Sequence, residues 1–251
     1  MSKPESIVGA GVGEGAFAVT HWSLVFRAAD FGKDARAAAA LEELCRAYWY
    51  PLYVFARRSG CAAAAAEDAT QGFFADLLRN DLLHRAHPER GKFRSFLIGA
   101  MKHHLKDCFR REHAQRRGGG CDILSWDAIL PEERYQMEGA DDAPTPEVAF
   151  DKRWAETLLE RTLKRLRAEC DAEGRAKRYD ELKGFLLPVT GQPSFATTAR
   201  DLGMAETALK AAVHRLRERF RKLFRDEVSQ TVADETEVEQ ELRYVVAMLA
   251  R

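Results

Sequence analysis

The sequence predicts an all-α fold, and three observations predict it. Apolar residues recur three and four positions apart through most of the chain, the spacing that lines one face of a helix. Strand-like alternation of apolar and polar residues is sustained nowhere, so the period of two that marks a half-buried strand is missing. Glycine and proline clusters, "RRGGG" at 116–120, "DDAPTPE" at 141–147 and "TGQPS" at 190–194, fall between the periodic stretches, where such residues punctuate helices.

Residues 1–16 are glycine-rich and aperiodic, which predicts a mobile tail. Order is expected from "FAVTHWSLVFRAA", with Thr20 as a helix N-cap. Leu41, Leu44, Cys45, Tyr48, Leu52 and Phe55 then form one amphipathic stripe. Pro51 lies inside it and should kink or restart the helix, because it lacks a backbone N–H. Beyond Gly60 and an alanine run, Phe73, Phe74, Leu77 and Leu78 make a second stripe. Phe93, Phe96, Leu97, Ala100, Met101, Leu105 and Cys108 make a third. Residues 17–117 therefore read as an N-terminal helical bundle.

Residues 118–150 hold prolines and no sustained period, and are read as an acidic linker. Phe150, Trp154, Leu158, Leu159, Leu163 and Leu166 restart the helical pattern and open a second domain, 151–227. Within "SFATTARDLGMAETALKAAVHRLRERFRKLF", 194–224, a short helix capped by Ser194 leads through Gly203 into a longer one. That longer helix carries Leu209, Ala212, Val213, Leu216, Phe220, Leu223 and Phe224 inward and Lys210, His214, Arg217 and Arg221 on another face. Two helices, a glycine turn and a basic second helix are the pattern of a helix-turn-helix, or of an ordinary hairpin with a solvated basic face. Residues 228–251 predict one further helix, with "TEVE" at 236–239 in capping-box form and Val238, Leu242, Val245, Val246 and Leu249 on its stripe. It either packs on the second domain or engages a regulator.

At 251 residues with 46% hydrophobic and 31% charged residues, the chain has room for two modest domains with buried cores. No apolar run is long enough to span a membrane and no secretory signal is evident, so a cytoplasmic location is expected. The five cysteines are scattered, odd in number and without a Cys-x-x-Cys pair, which predicts reduced thiols. His84 and His87 have metal-like spacing but no companion ligands in sequence, so neither a metal nor any other cofactor is expected.

The formal net charge is zero, yet charge is segregated. From 85 to 117 there are ten lysines and arginines against three acids, a local balance of +7. From 121 to 151 there are nine acids against Arg134 alone, or −8, and from 205 to 225 seven bases against two acids, or +5. Two basic modules flank an acidic connector, a segregation that bears on partners and solubility and says little about fold. No phosphate-cradling glycine loop and no Ser/His/Asp group is evident, and the nearest reactive pair, His104 with Cys108, sits four apart on one expected helix. An enzyme is not predicted.

"TARDLGMAETALKAAVHRLRERF" resembles the promoter-reading domain of the bacterial RNA polymerase sigma factors, specifically the small extracytoplasmic-function class. The resemblance implies that Lys210, His214, Arg215 and Arg217 face the minus-35 element. Ala205 stands where that family usually has a capping residue. "AAEDATQGFFADLLR", 65–79, is similar to the family's segment that docks on the polymerase beta-prime clamp, which implies contacts from Asp68, Gln71 and Phe74; Gly72 replaces the usual acid. "FRSFLIGAMKHHLKDCFRRE", 93–112, resembles the part that opens and reads the minus-10 element. By that likeness Arg94, Phe96, Lys102, His103, Lys106, Arg110 and Arg111 hold separated DNA, with His103 where an asparagine is frequent. Cations hold phosphates and an aromatic surface captures an unstacked base.

The three segments occur in the family's order and the resemblance covers most of 20–227. It implies a region 2-like bundle, a region 4-like helix-turn-helix, core RNA polymerase and promoter DNA as partners, and an anti-sigma factor or other regulator as a further one. The alternative is a helix-turn-helix regulator that binds duplex DNA without polymerase.

Overall fold

The computed structural model describes residues 21–30, 32–79, 82–114, 131–137, 145–187 and 194–251. Among them every regular element is helical: α1 His21–Ala29, α2 Ala35–Arg58, α3 Ala63–Arg79, α4 Phe93–Ala114, α5 Pro131–Met137, α6 Pro146–Ala172, α7 Ala176–Leu182, α8 Phe195–Asp201, α9 Glu206–Ser229 and α10 Val238–Leu249. The tail 1–16, the Thr20 cap and Cys121 lie outside the described residues.

α2 is the hub. Its second half, Ala47 to Ala56, reads Ala-Tyr-Trp-Tyr-Pro-Leu-Tyr-Val-Phe-Ala, apolar on every side, and a helix apolar all round is one surrounded by protein. Eight of those ten residues, including Pro51, are buried, and α1, α3 and α6 pack around them. The helix runs unbroken through Pro51 instead of restarting there. Packing on several faces outweighs the roughly 3 kcal/mol that proline costs in a helix interior. α2 is capped at one end by Asp34, which accepts from Ala37 N–H at 2.7 Å. At the other end Gly60, at φ 98°, turns the chain back so that Cys61 N–H reaches the Ala56 carbonyl at 3.2 Å.

The region read as a linker contains structure. α5 lies inside it, and α6 begins at Pro146, with Thr145 Oγ1 accepting from Val148 N–H at 3.3 Å. The signal was local and easily passed over: threonine, then proline at the first helical position, then an acid in the first turn. α5 docks on α2 through Glu132, whose carboxylate accepts from Tyr53 Oη at 2.5 Å and from Arg57 Nε and Nη2 at 3.0 Å. Burial pushes the Glu132 carboxyl up, but hydrogen bonds from Tyr53, Gln136 and Arg57 together bring it below the usual range.

α6 joins the two halves. Phe150, Trp154, Ala155, Leu158 and Leu166 enter the same continuous core as Tyr48, Leu52 and Phe55 of α2 and Phe220, Leu223, Phe224 and Val228 of α9. One core thus runs from α1 to α10, with a small satellite formed by Leu182, Phe185, Ala199, Leu209 and Val213. α10 packs on α6 and α9, the first of the two expectations for it. Its start differs from expectation: Asp234 accepts from Thr236 N–H at 2.8 Å and caps a single 3-10 turn, Glu235–Glu237, so the Thr236 capping box does not form. Its inward face is Val238, Glu241, Val245 and Met248, leaving Val246 54% exposed.

Candidate nucleic-acid interface

The satellite core holds α8 and α9 together across a tight turn. Ser194 Oγ accepts from Thr197 N–H at 3.1 Å and starts α8. Gly203, at φ 64°, ends it: its N–H reaches the Arg200 carbonyl at 3.1 Å, and Met204 N–H reaches the Ala199 carbonyl at 2.9 Å. That paired closure requires the left-handed conformation glycine supplies, and it aims the chain into α9. Leu209 and Val213 seat the first turns of α9 on Leu182, Phe185 and Ala199, while Phe195 stacks on Phe185 at 4.7 Å.

On the opposite side of α9, Lys210, His214 and Arg215 are exposed. Lys210 Nζ lies 2.6 Å from Glu206 and 5.9 Å above the Phe195 ring, and His214 lies 3.7 Å from Glu218. Arg217 is placed differently. Half-buried, it donates from Nε to the Phe185 carbonyl at 2.8 Å and ties α9 to the turn after α7.

A second cationic row lies on α4. Phe93, Leu97, Met101 and Leu105 are buried, so Lys102, Lys106 and Arg110, four apart, with His103 beside them, face outward. Lys102 Nζ is 2.6 Å from Glu147 in the first turn of α6; this hydrogen bond first, and the helix start second, hold the Glu147 carboxyl below its usual range. Arg110 is 3.5 Å from Asp107. Phe96 is half-buried and stacked on Phe93 at 6.0 Å. The Arg111 side chain lies outside the described residues.

Arg94 is not part of the open row. It is buried, with its guanidinium 4.5 Å from the Trp154 ring and 4.8 Å from that of Tyr244. It pairs with Glu241 of α10, which also receives Lys92, and Arg94 Nε lies 3.3 Å from Asp151 of α6. Tyr244 Oη donates to Asp151 at 2.5 Å. Burial pushes the Asp151 carboxyl up, and the Tyr244 phenol is raised by burial and by that bond. The reason for the departure is α10: its fully buried Glu241 takes the cations at the start of α4 inward.

On α3, Asp68 is exposed, Gln71 is half-buried with Nε2 3.5 Å from Glu67, and Phe74 is half-buried against Phe73 at 5.8 Å. An apolar gap of about 10 Å³ between α2, α3 and α4, lined by Leu44, Tyr48, Leu77 and Leu97 among others, is too small for a metabolite. Among the described residues no three His, Cys, Asp or Glu side chains are grouped to share a metal ion, and no helix is long and apolar enough to cross a membrane.

Sequence reasoning missed Glu241, Asp151 and Glu132. Glu241 alone left a trace, since it falls three after Val238 and four before Val245, on the inward stripe. Comparison with family models, curated proteins and solved structures finds no match to this chain.

Proposed function

We propose that the chain is a transcription initiation factor of the sigma type, which binds core RNA polymerase and directs it to promoters without performing bond chemistry itself. The observation that carries this reading is the pair of exposed cationic rows, Lys102, His103, Lys106 and Arg110 on α4 and Lys210, His214 and Arg215 on α9. Each sits on a helix whose other face is anchored in apolar core. Such rows suit phosphate oxygens, which position a protein on DNA. Their present partners, Glu147, Asp107, Glu206 and Glu218, form surface pairs worth about 0–1 kcal/mol each, weak enough for a phosphate to displace. The exposed Asp68, with Gln71 and Phe74, offers the polymerase-docking face on α3.

The test is reconstitution. Purified chain mixed with core polymerase should co-elute and support run-off transcription from promoters selected out of genomic DNA. Absence of a complex refutes the proposal. Sequence-specific duplex binding by the free chain, without polymerase association, would select the stand-alone regulator instead.

A further inference from the structure

Where α3 meets α4, three side chains outside the cationic rows are in line. Cys108 Sγ lies 3.4 Å from His104 Nε2, and His104 Nδ1 lies 2.9 Å from Asp76 Oδ2. The imidazole is nearly closed off, at 8% exposed, with its ring edge-on to Phe73 at 5.9 Å. Gly72 faces it across the helix pair: a Cβ there would come within 3.4 Å of Nε2 and 3.5 Å of Cε1. Those are ordinary van der Waals distances, so the imidazole packs closely against α3 at this point. Asp76 is steadied in turn by Arg79 at 3.3 Å.

The partners fix the tautomer. A carboxylate behind Nδ1 requires that nitrogen to carry the proton, which leaves the Nε2 lone pair facing the thiol. A nucleophile within hydrogen-bond reach of a base, with the base oriented by a third group, is the arrangement that activates cysteine, because the thiolate is the reacting species. The other described cysteines are differently placed. Cys61 is buried; burial, with Glu42 beside it, pushes the Cys45 thiol up to about 11, and burial raises Cys170 as well. Cys108 is half-buried.

We propose that Cys108 is a reactive thiol that exchanges with low-molecular-weight disulfides, with His104 as its base and Asp76 as the positioning residue. The Cys108 proton passes to His104 Nε2, and the thiolate attacks one sulfur of the disulfide. A new sulfur–sulfur bond to Cys108 forms as the old one breaks, and the departing thiolate takes the proton from the imidazolium. One disulfide is consumed, one thiol is released and the protein carries a mixed disulfide, which excess thiol reverses. Nothing in this step depends on the role proposed for the cationic rows.

The probe is glutathione disulfide, applied to the full chain and followed by intact mass and peptide mapping. Cys108 is expected to be modified first, with a rate that flattens with pH below about 8.5, the ordinary thiol range. His104→Ala should slow modification about tenfold or more near neutral pH, below the roughly hundredfold a positioned base contributes in catalysis, and should return the pH profile to that of an ordinary thiol. Asp76→Asn should give an intermediate profile, which a merely structural role would not produce. The wild-type profile decides the matter even where a variant folds poorly. Another cysteine reacting first, or a wild-type rate still rising through pH 8.5, overturns the proposal.

Discussion

Removing Glu241 from α10 should unfasten the molecule at its most buried charge cluster. The Glu241 side chain is 0% exposed and receives both Lys92 and Arg94, and among the described residues Arg94 has Asp151 as its one further acidic partner, at 3.3 Å. In Glu241→Ala the guanidinium stays 8% exposed between Trp154 and Tyr244 with half its neutralising charge gone. Breaking a buried pair on one side costs about 3–5 kcal/mol. At about 2–4 °C per kcal/mol for a chain of this size, Tm should fall by about 6–20 °C. Urea denaturation gives the free energy directly, provided the slope with denaturant is unchanged. A cycle with Arg94→Ala should return a coupling of about 0.5–3 kcal/mol. A loss in Glu241→Ala below about 1 kcal/mol, or additive single effects, would refute the assignment of Arg94 to a buried fastener and return it to the open row.

Four further outcomes are expected. Ala205 is the N-cap of α9 and makes no side-chain cap bond; Ala205→Ser should stabilise α9 by about 1 kcal/mol, seen as slower amide hydrogen exchange at Thr207 and Ala208, and unchanged exchange there contradicts it. Glu227 is buried in α9, near Arg161 at 3.4 Å and Arg165 at 3.9 Å, and burial raises its carboxyl above the usual value. The fold therefore favours its neutral form, and its stabilising contribution, present at low pH, is lost as pH rises through the folded value. Glu227→Gln should accordingly gain in Tm relative to wild type between pH 4 and pH 7, and a gain independent of pH would count against that sign. Lys210→Ala should reduce the slope of log affinity against log salt by about 0.9 on promoter DNA while leaving association with core polymerase unchanged, and His103→Ala should slow promoter opening; equal losses in both assays for Lys210→Ala would place that residue elsewhere.

Helical spacing made α4 and α9 legible, because their inward stripes, Phe93 to Leu105 and Leu209 to Phe224, are local patterns. The turn at Gly203 was readable for the same reason. What escaped were pairings between distant parts of the chain. Arg94 and Glu241 are 147 positions apart, and Tyr53 and Glu132 79 apart. A basic residue at the start of a basic helix reads as surface until the carboxylate that takes it inward is known. The Cys108–His104 spacing was visible, but Asp76 on the neighbouring helix, which turns a pair into an aligned set, was not.

α9 belongs to two cores at once: its first turns hold the satellite, while Phe220, Leu223, Phe224 and Val228 are set in the main body. Its 24 residues span about 36 Å at 1.5 Å per residue, so it behaves as an axle. Arg219 pins it to Glu169 of α6 through two bonds at 2.6 and 2.7 Å, and α10 leans on the same embedded end. The embedded root is thus held by the main body, while Lys210 and His214 sit at the tip. The bearing of the tip is set by packing along the whole helix as well as by the small head that carries it.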